Sequence, residues 1–580
     1  MFTEESRETI IRNRLKIIMF VIIAGFCIMF FRLGYLQIMR KDYYVKRSAG
    51  NRLHPVRLTP PRGMIYDRHG NLPIVDNETA FDVCVLPDKE DYIWRSDSRR
   101  KLIFEKLGIR PEDISMMLKE SSNRIYEPVV IKENVDSNTA AYIGENNTHF
   151  PELIIKARPA RNYEKIAPHI IGYTAPVSEE DLQNGYAMSD FIGRSGLEGA
   201  YEKYLRGDLG WRMVEVNTYG QVVRELPLPT DVKTGNNLYL TLDRNLQIKA
   251  EEIMQDKTGV LIAIDPRDGG VLAMVSKPDF DPSIFINADT GKEKSLVMKD
   301  ENKPLLNRAI MGEYPPGSTF KIISATAALM EGKITEHTYF HCAGGLYIGN
   351  RMFRCHKSGG HGSVSIREAL PKSCNVFFYN IAYRAGLTVP LIHKYAQMYG
   401  LGSKTGIDLP GEKKGNIPDK SRYRSDNVNM VIGQGAILVT PLQMANVISV
   451  LANRGFSYKP HFVDYSKSPQ KPIENNETEN TNGNSEINKP QILVDLRDKV
   501  PMEIIDLIRD SLLDVAKVGL CKDAKINDIK ICGKTGTAQN PHGEAHAWYI
   551  GFAPYDNPRI VVVALVENSG LGSEKAAPIA

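Results

Sequence analysis

The strongest constraint on this chain lies at its beginning. From Ile17 to Phe31 every residue is uncharged and nearly all are apolar. With Leu33–Met39 included, the run reaches the ~20 residues an α-helix needs to cross a hydrocarbon layer. Arg32 lies close enough to the end of the run to extend its guanidinium to the interface. A cleaved signal peptide is the competing reading, but the apolar run is long and no small-x-small cleavage site follows it. Basic residues flank both ends: Arg7, Arg12, Arg14 and Lys16 before, Arg40, Lys41, Lys46 and Arg47 after. Charge bias therefore orients the span weakly, although long domains translocate largely regardless of charge. The expectation is a short cytoplasmic tail over 1–16, a single transmembrane helix over 17–39, and everything beyond it outside the cell membrane.

A chain of 580 residues should fold as two or three domains. Its 73 basic and 69 acidic residues leave a net charge of +4, which gives no support for a nucleic-acid partner. Residues 40–235 are charged and mix strand and helix signals with turn-rich joints such as "TPPRGMIYDRHGNLP". From Leu238 the pattern tightens. "NLYLTLD" reads as a strand, "RNLQIKAEEIM" as a helix, "GVLIAIDPRDGGVLAMVS" as a hairpin turning at "DPRDGG", and the late "HAWYIGFAPY" and "RIVVVALVEN" as further strands of one sheet. Residues 236–580 are thus expected to form one α+β domain, interrupted over 466–490 by a polar, low-complexity insertion expected to be disordered. No internal repeat is visible.

Within that domain "YPPGSTFKIISATAALM", Tyr314–Met330, carries a lone lysine in an otherwise apolar helical run. Ser318 falls at the helix start, and Lys321, three residues on, stacks over the same face. Desolvation disfavours a charged amine, and a neutral amine beside a hydroxyl can act as its base. The bland alternative is a lysine that snorkels to the surface. "SRRK" at Ser98 and "SPQK" at Ser468 match the same spacing, but neither is followed by an apolar helix. Two further clusters follow in order: "SCNVFFYN", with Ser373 and Asn375 at a helix start, and "CGKTGTAQN", where small residues flank Lys534 and let a backbone edge approach a bound chain. Taken singly, Asn375 could be a helix cap and Lys534 a surface residue near a turn.

The trio Ser-x-x-Lys, Ser-x-Asn and Lys-Thr-Gly is the motif set of penicillin-binding proteins and serine β-lactamases. The chain resembles a class B penicillin-binding protein along nearly its whole length, most closely the elongation-type penicillin-binding protein 2 branch in "YPPGSTFK" and the region up to "SCN". "RGMIYDRHG", "ARNYEKIAPHIIGYT" and "GRSGLEGAYEKYLRG" resemble that family's pedestal, and "TPLQMA" and "HAWYIGFAP" its transpeptidase domain. The resemblance implies an elongated mixed pedestal (dimerisation) domain over 40–235. After it would come a serine β-lactamase-like domain, an antiparallel sheet flanked by helices, with a final helix beyond "SEKAAPIA". Cys374 stands where the β-lactamase motif has Asp.

The implied activity is D,D-transpeptidation of D-Ala-D-Ala stem peptides through an acyl-serine, with β-lactams as trapping mimics. Ser318 is then the nucleophile and Lys321 its base, Ser373 a proton relay, Asn375 a holder of the substrate amide, and Lys534 a source of positive potential. Thr535, Gly536 and Thr537 would bind the substrate carboxylate and supply part of the oxyanion hole. Arg62, Asp67, Arg68 and Glu198 are expected in buried ion pairs, and His169 as a satisfied structural histidine. A SEDS-type glycosyltransferase is the implied membrane partner. Same-chemistry alternatives are a D,D-carboxypeptidase or β-lactamase. A different class is a non-catalytic β-lactam sensor or polymerase activator, although a sensor should carry several membrane helices and only one is visible.

Seven cysteines spread thinly over the chain do not resemble a disulfide framework. Cys342, Cys355, His361 and Cys374 fall in one window and could supply a three-sulfur, one-nitrogen tetrahedral set for structural zinc, with His356 and His341 as substitute ligands. A Cys342–Cys355 disulfide or buried free thiols are the alternatives, and Cys521 could pair with Cys532. Some elongation-type relatives resemble this window in carrying a metal set whose last ligand lies inside the second motif.

Overall fold

The apolar run folds as a helix. In the computed structural model, α1 (Glu4–Gly34) passes through a π-turn (Tyr35–Met39) into α2 (Lys41–Arg52). Thr9–Met39 is, among the described residues, the one helix long and apolar enough to cross a membrane. The structure describes residues 4–85, 104–120, 128–146, 148, 153–187, 190–216, 222–230, 232–286, 290–468, 490–513, 529–541 and 543–580. Most of the 466–490 insertion, and Cys521 with its suggested pairing, lie outside these residues.

Packing divides the chain into two units. The smaller comprises Met1–Pro60, Phe81–Ala157 and Asp208–Lys233. Its three-stranded antiparallel sheet runs β1 (Leu53–Leu58), β2 (Gly210–Val216), β3 (Val222–Thr230), with β2 central. A separate small core gathers Val83, Val85, Leu107, Ile114, Leu118, Ile131, Ile143 and Leu153. Ile114 and Leu118 reach it from one face of the helix Pro111–Glu120, as their i, i+4 spacing requires.

The larger unit joins Pro61–Ala80 and Arg158–Gly207 to Thr234–Ala580. Two features fasten the early segments. Ile65–Tyr66 pairs in parallel with Leu238–Tyr239. Buried Glu198 accepts from Arg62 (2.6 Å) and Arg161 (2.7 Å), while Arg62 also reaches Glu202 at 2.6 Å. The expected ion pairing therefore holds for Arg62 and Glu198, whereas among the described residues Asp67 and Arg68 make no direct ion pair and interact with Arg244 and Asp265 only through longer-range charge. Asp67 accepts the N–H groups of His69 and Gly70, so its carboxylate closes a tight turn. Arg68 contributes its backbone, its N–H to Leu242 and its carbonyl to Lys467. His169 is satisfied as expected, its Nε2 lying 2.7 Å from the Pro304 carbonyl oxygen, and burial pulls its pKa down to about 4.

Asp243 caps α3 (Arg244–Met254) by accepting from the N–H of Leu246. The hairpin β4 (Gly259–Ile264) and β5 (Val271–Lys277) follows. Next come α4 (Lys321–Met330), α5 (Asn375–Tyr383), α6 (Pro441–Ala452) and α7 (Met502–Leu513), then β6 (Cys532–Ala538), β7 (His546–Ala553) and β8 (Ile560–Val566). The strands form one antiparallel sheet, order β5-β4-β8-β7-β6, with β6 at the edge. Every residue of α6 is buried where it packs on β7 and β8, and its polar members Gln443, Asn446 and Ser449 are each hydrogen-bonded to backbone carbonyls.

Candidate active site

Ser318 lies in a single 3₁₀ turn, Gly317–Phe320, that runs directly into α4. In a 3₁₀ turn positions i and i+3 eclipse, so Ser318 and Lys321 stack more closely than α-helical spacing would place them. The turn requires glycine at its head. Gly317 has φ +55°, and a Cβ there would meet the Thr537 carbonyl oxygen at 2.9 Å. Its N–H donates to the Gly433 carbonyl at 2.9 Å. Ser318 remains half-exposed, whereas Thr319, Phe320 and the first eight residues of α4 are buried.

Lys321 is fully buried. Its Nζ lies 2.6 Å from Asn375 Oδ1, 2.9 Å from the Ser373 carbonyl oxygen and 3.2 Å from Ser373 Oγ. Two of these partners can only accept, while the hydroxyl can also donate. The amine donates to all three, which fixes its position between Ser373 and Asn375. Burial, and next the charge of Lys534, pulls its pKa down to about 7, against a weaker opposing pull from the Cys355 and Cys374 sulfurs. The Phe378 ring, 5.3 Å from Nζ, completes the dry wall.

Ser373 and Asn375 flank Cys374, the N-cap of α5. Ser373 has φ +50°, left-handed backbone that costs a non-glycine residue about 1–3 kcal/mol and persists only where its surroundings hold it. Across the site, β6 packs its Lys534–Thr537 segment against the nucleophile turn. Lys534 is fully buried and donates to the Thr535 carbonyl at 3.0 Å. A Cβ on Gly536 would meet Thr319 Cγ2 at 2.9 Å and Trp548 Cβ at 3.0 Å, so only glycine lets strand and turn touch. Thr537 is half-exposed, and its hydroxyl accepts from the Gly572 N–H at 3.3 Å. The catalytic and substrate-binding candidates thus converge. Ser318, Asn375 and Thr537 lie at the rim, with both lysines, Ser373 and Thr535 beneath.

The four metal candidates also converge. The ligating atoms of Cys342, Cys355, His361 and Cys374 all lie within 4.8 Å of one another. His361 Nδ1 is 3.7 Å from Cys342 Sγ and 3.6 Å from Cys355 Sγ. A tetrahedral ion with metal–sulfur bonds of about 2.3 Å and metal–nitrogen bonds of about 2.0 Å would separate such atoms by roughly 3.5 Å. The donor set therefore fits a divalent ion in size and chemistry. The six described cysteines are free thiols, which removes the Cys342–Cys355 disulfide. His356 stays exposed, its Nδ1 3.9 Å from Cys355 Sγ, and His341 is exposed on its strand. The hydrogen bond between Cys355 and Cys374 pulls the first thiol's pKa down and pushes the second's up.

Sequence reading missed the groups that hold the nucleophile turn from outside. Trp548 Nε1 donates to the Pro315 carbonyl at 3.1 Å. Tyr314 exchanges backbone hydrogen bonds with Val439, and its hydroxyl donates to Glu567 at 2.6 Å. Glu567 in turn accepts from buried Arg308 at 2.9 Å. Burial, then Glu567, pushes the Tyr314 pKa up, so the hydroxyl keeps its proton. The one signal for Glu567 was a carboxylate closing the apolar run "VVVALVEN", and nothing local pointed from it to residue 314.

Residues 259–580 match the family model of the penicillin binding protein transpeptidase domain, and residues 57–240 that of the penicillin-binding protein dimerisation domain. The protein named peptidoglycan D,D-transpeptidase MrdA from Salmonella typhimurium is 32% identical over 625 residues, 99% of this chain and 96% of that relative. Among solved structures, a complex between penicillin-binding protein PBP2 and MreC from Helicobacter pylori aligns with a TM-score of 0.74 at 26% identity, covering 90% of this chain and 97% of that one. A chain of a peptidoglycan synthase complex, solved to explain coordination of polymerization and crosslinking, aligns at 0.72 with 29% identity, covering 98% and 96%.

Proposed function

Since this chain belongs to the class B penicillin-binding proteins, as a serine-type peptidoglycan D,D-transpeptidase most like the penicillin-binding protein 2 branch, we propose how its own residues divide the reaction. Ser318 Oγ attacks the carbonyl carbon of the penultimate D-alanine while Lys321 Nζ takes the hydroxyl proton. The N–H groups of Ser318 and Thr537 hold the resulting oxyanion. As the C–N bond breaks, the proton travels through the Ser373 hydroxyl to the departing D-alanine amine, leaving the acyl ester on Ser318. Asn375 orients Lys321 and the substrate amide. Lys534 keeps Lys321 neutral, and Thr535, Gly536 and Thr537 receive the terminal carboxylate along the β6 edge. An amine of a second stem peptide then attacks the ester, giving its proton to Lys321; the ester C–O bond breaks as Lys321 returns that proton to Ser318 Oγ, and the new amide is the cross-link. β-Lactams follow the first half and stay on Ser318.

The observation that carries this assignment is the buried, weakly basic Lys321 amine held between Ser373 and Asn375. Cys342, Cys355, His361 and Cys374 would hold structural zinc, which when bound supplies a rigid tie between the segment from Cys342 to His361 and the Ser373–Asn375 turn. With α1 in the membrane, the chain beyond about residue 40 would lie on the extracytoplasmic side, where stem peptides are, and a SEDS-type glycosyltransferase is the partner that supplies glycan. The synthase-complex and MreC-complex neighbours support an assembly of this kind. Intact mass after exposure to a penicillin tests the assignment. One adduct should appear on the wild-type chain and none on Ser318→Ala. An adduct retained by that variant would refute it.

A further inference from the structure

The junction between span and ectodomain is built in a way that anchoring alone does not require. The charge-free stretch Ile17–Phe31 gives about 22 Å of helix, less than the roughly 30 Å of a hydrocarbon core. With the span continuing to Met39, Arg32 lies in its last two turns, close enough to extend its guanidinium to the acyl–headgroup boundary, where a cation is stable only if it meets water or an anion. Immediately after it the helix widens into the π-turn Tyr35–Met39, a geometry that recurs at functional sites. The turn opens a groove of ≈ 520 Å³ between the end of α1 and the start of α2, lined by Arg32, Leu36, Gln37, Lys41, Tyr44 and Val45. That volume falls within the roughly 300–1,000 Å³ of small-molecule sites.

The lining has two chemical halves. Arg32, Lys41, Gln37 and the Tyr44 hydroxyl can donate hydrogen bonds, and Leu36 and Val45 form an apolar floor. One groove cation is braced by a ring, Arg32 lying 5.6 Å over Tyr35; Arg40, outside the lining, shares that ring at 5.5 Å and lies 5.9 Å over Tyr43. Among the described residues neither Arg32 nor Lys41 has a carboxylate partner. Asp42, the acid in the first turn of α2, is not among the groove residues, which follow the 41, 44, 45 face of that helix. Two cations, two neutral donors and an oily floor at the boundary of a bilayer match a phosphodiester with its glycerol and the first carbons of an acyl chain.

We propose that this groove is a binding site for the headgroup of an anionic glycerophospholipid of the phosphatidylglycerol type. The two unpaired cations favour a net-negative headgroup over a zwitterionic one, whose own ammonium would repel them. The bound lipid fixes the angle at which α2 leaves the membrane. This site does not depend on the transpeptidase assignment or on which leaflet it faces.

The test uses the full-length chain in nanodiscs containing phosphatidylglycerol and phosphatidylcholine in equal amounts, released into detergent and examined by native mass spectrometry. Wild type should retain phosphatidylglycerol at least tenfold over phosphatidylcholine. Arg32→Gln/Lys41→Gln should reduce that preference to under twofold, and Lys41→Gln alone should reduce it by at least threefold. Arg12→Gln/Arg14→Gln, at the other end of the span, should leave it unchanged. Equal penicillin acylation of every variant establishes that each is folded. Unchanged retention in the Arg32/Lys41 variants, equal loss in the Arg12/Arg14 variant, or displacement of phosphatidylglycerol by micromolar polyprenyl diphosphate would each overturn the proposal, the last by giving the groove to a lipid-linked sugar carrier.

Discussion

Titrating the acylation step isolates Lys321. A lysine of ordinary pKa, near 10.5, would be neutral in roughly one molecule in three thousand at pH 7. With its pKa pulled down to about 7 by burial and by Lys534, about half the molecules carry the free amine at that pH. The neutral fraction falls to about 9% at pH 6 and about 1% at pH 5, because each pH unit below the pKa removes tenfold. The second-order rate constant for acylation by a penicillin, measured by stopped flow between pH 5 and 9, should follow that curve: tenfold per unit on the acid side, level above about pH 8. The groups facing Nζ are Lys534, Ser373, Asn375 and the Cys355 and Cys374 sulfurs, so acid could also act by loosening the thiol cluster. A jump from pH 5 back to pH 8 separates the two, since protonation of Lys321 reverses within the mixing time and rebuilding a cluster does not. Lys534→Met should move the acid limb to higher pH. A rate independent of pH from 5 to 8, or a midpoint near that of free lysine, would refute the argument that burial makes this amine a base.

Three other perturbations follow from named contacts. Gly536→Ala places a methyl 2.9 Å from Thr319 Cγ2 and 3.0 Å from Trp548 Cβ, both on packed residues; overpacking of about 1–3 kcal/mol should lower the melting temperature by a few degrees and slow acylation at least tenfold. Glu567→Gln removes the counter-charge of buried Arg308 while keeping an acceptor for Tyr314, so differential scanning calorimetry should register a loss of about 1.5–3 kcal/mol. Cys342→Ser or exhaustive chelation should remove one equivalent of metal by elemental analysis, lower the melting temperature, and slow acylation; full activity in a metal-free chain would remove the structural role of the cluster.

The legible part of the sequence was that in which local pattern and tertiary environment agree. The β4–β5 hairpin and strands β7 and β8 read correctly because β-branched apolar runs bounded by turn residues have few other uses. Three Ser-x-x-Lys matches were separated by setting, and burial of α4 was the deciding property. Ser98 lies outside the described residues, and Ser468 is buried for another purpose, its Oγ accepting from the Tyr239 N–H. The convergence of three thiols and an imidazole was suggested by composition, and that His361 rather than His356 joins the sulfurs depended on a fold that brings residue 361 beside residue 342 through the pairing of Phe340–Cys342 with Gly362–Val364. Asp67 and Arg68 misled because a charged pair in a turn reads as an ion pair, whereas a turn aspartate is satisfied by its own backbone. Glu567, Arg308 and Trp548 were not legible at all. Their partners lie more than two hundred residues away in sequence, and no local period encodes such a contact.

The same distinction explains why the thiol cluster should matter to chemistry. Ser373 holds a left-handed backbone angle that an L-residue adopts only under constraint, and its carbonyl and hydroxyl supply two of the three contacts to the Lys321 amine. Asn375 supplies the third. Between them stands Cys374, whose sulfur is gathered with Cys342, Cys355 and His361. One peptide turn therefore has its side chains pulled in opposite directions, the outer two toward the amine and the middle one into the cluster. If the cluster loosens, Ser373 can relax toward ordinary backbone angles by the about 1–3 kcal/mol it stores. The amine then loses the contacts that fix its position before any substrate contact is lost. Failure of the cluster should accordingly appear as slower acylation at unchanged affinity for the initial complex, whereas damage at the β6 edge, where the carboxylate is proposed to bind, should appear first in that affinity.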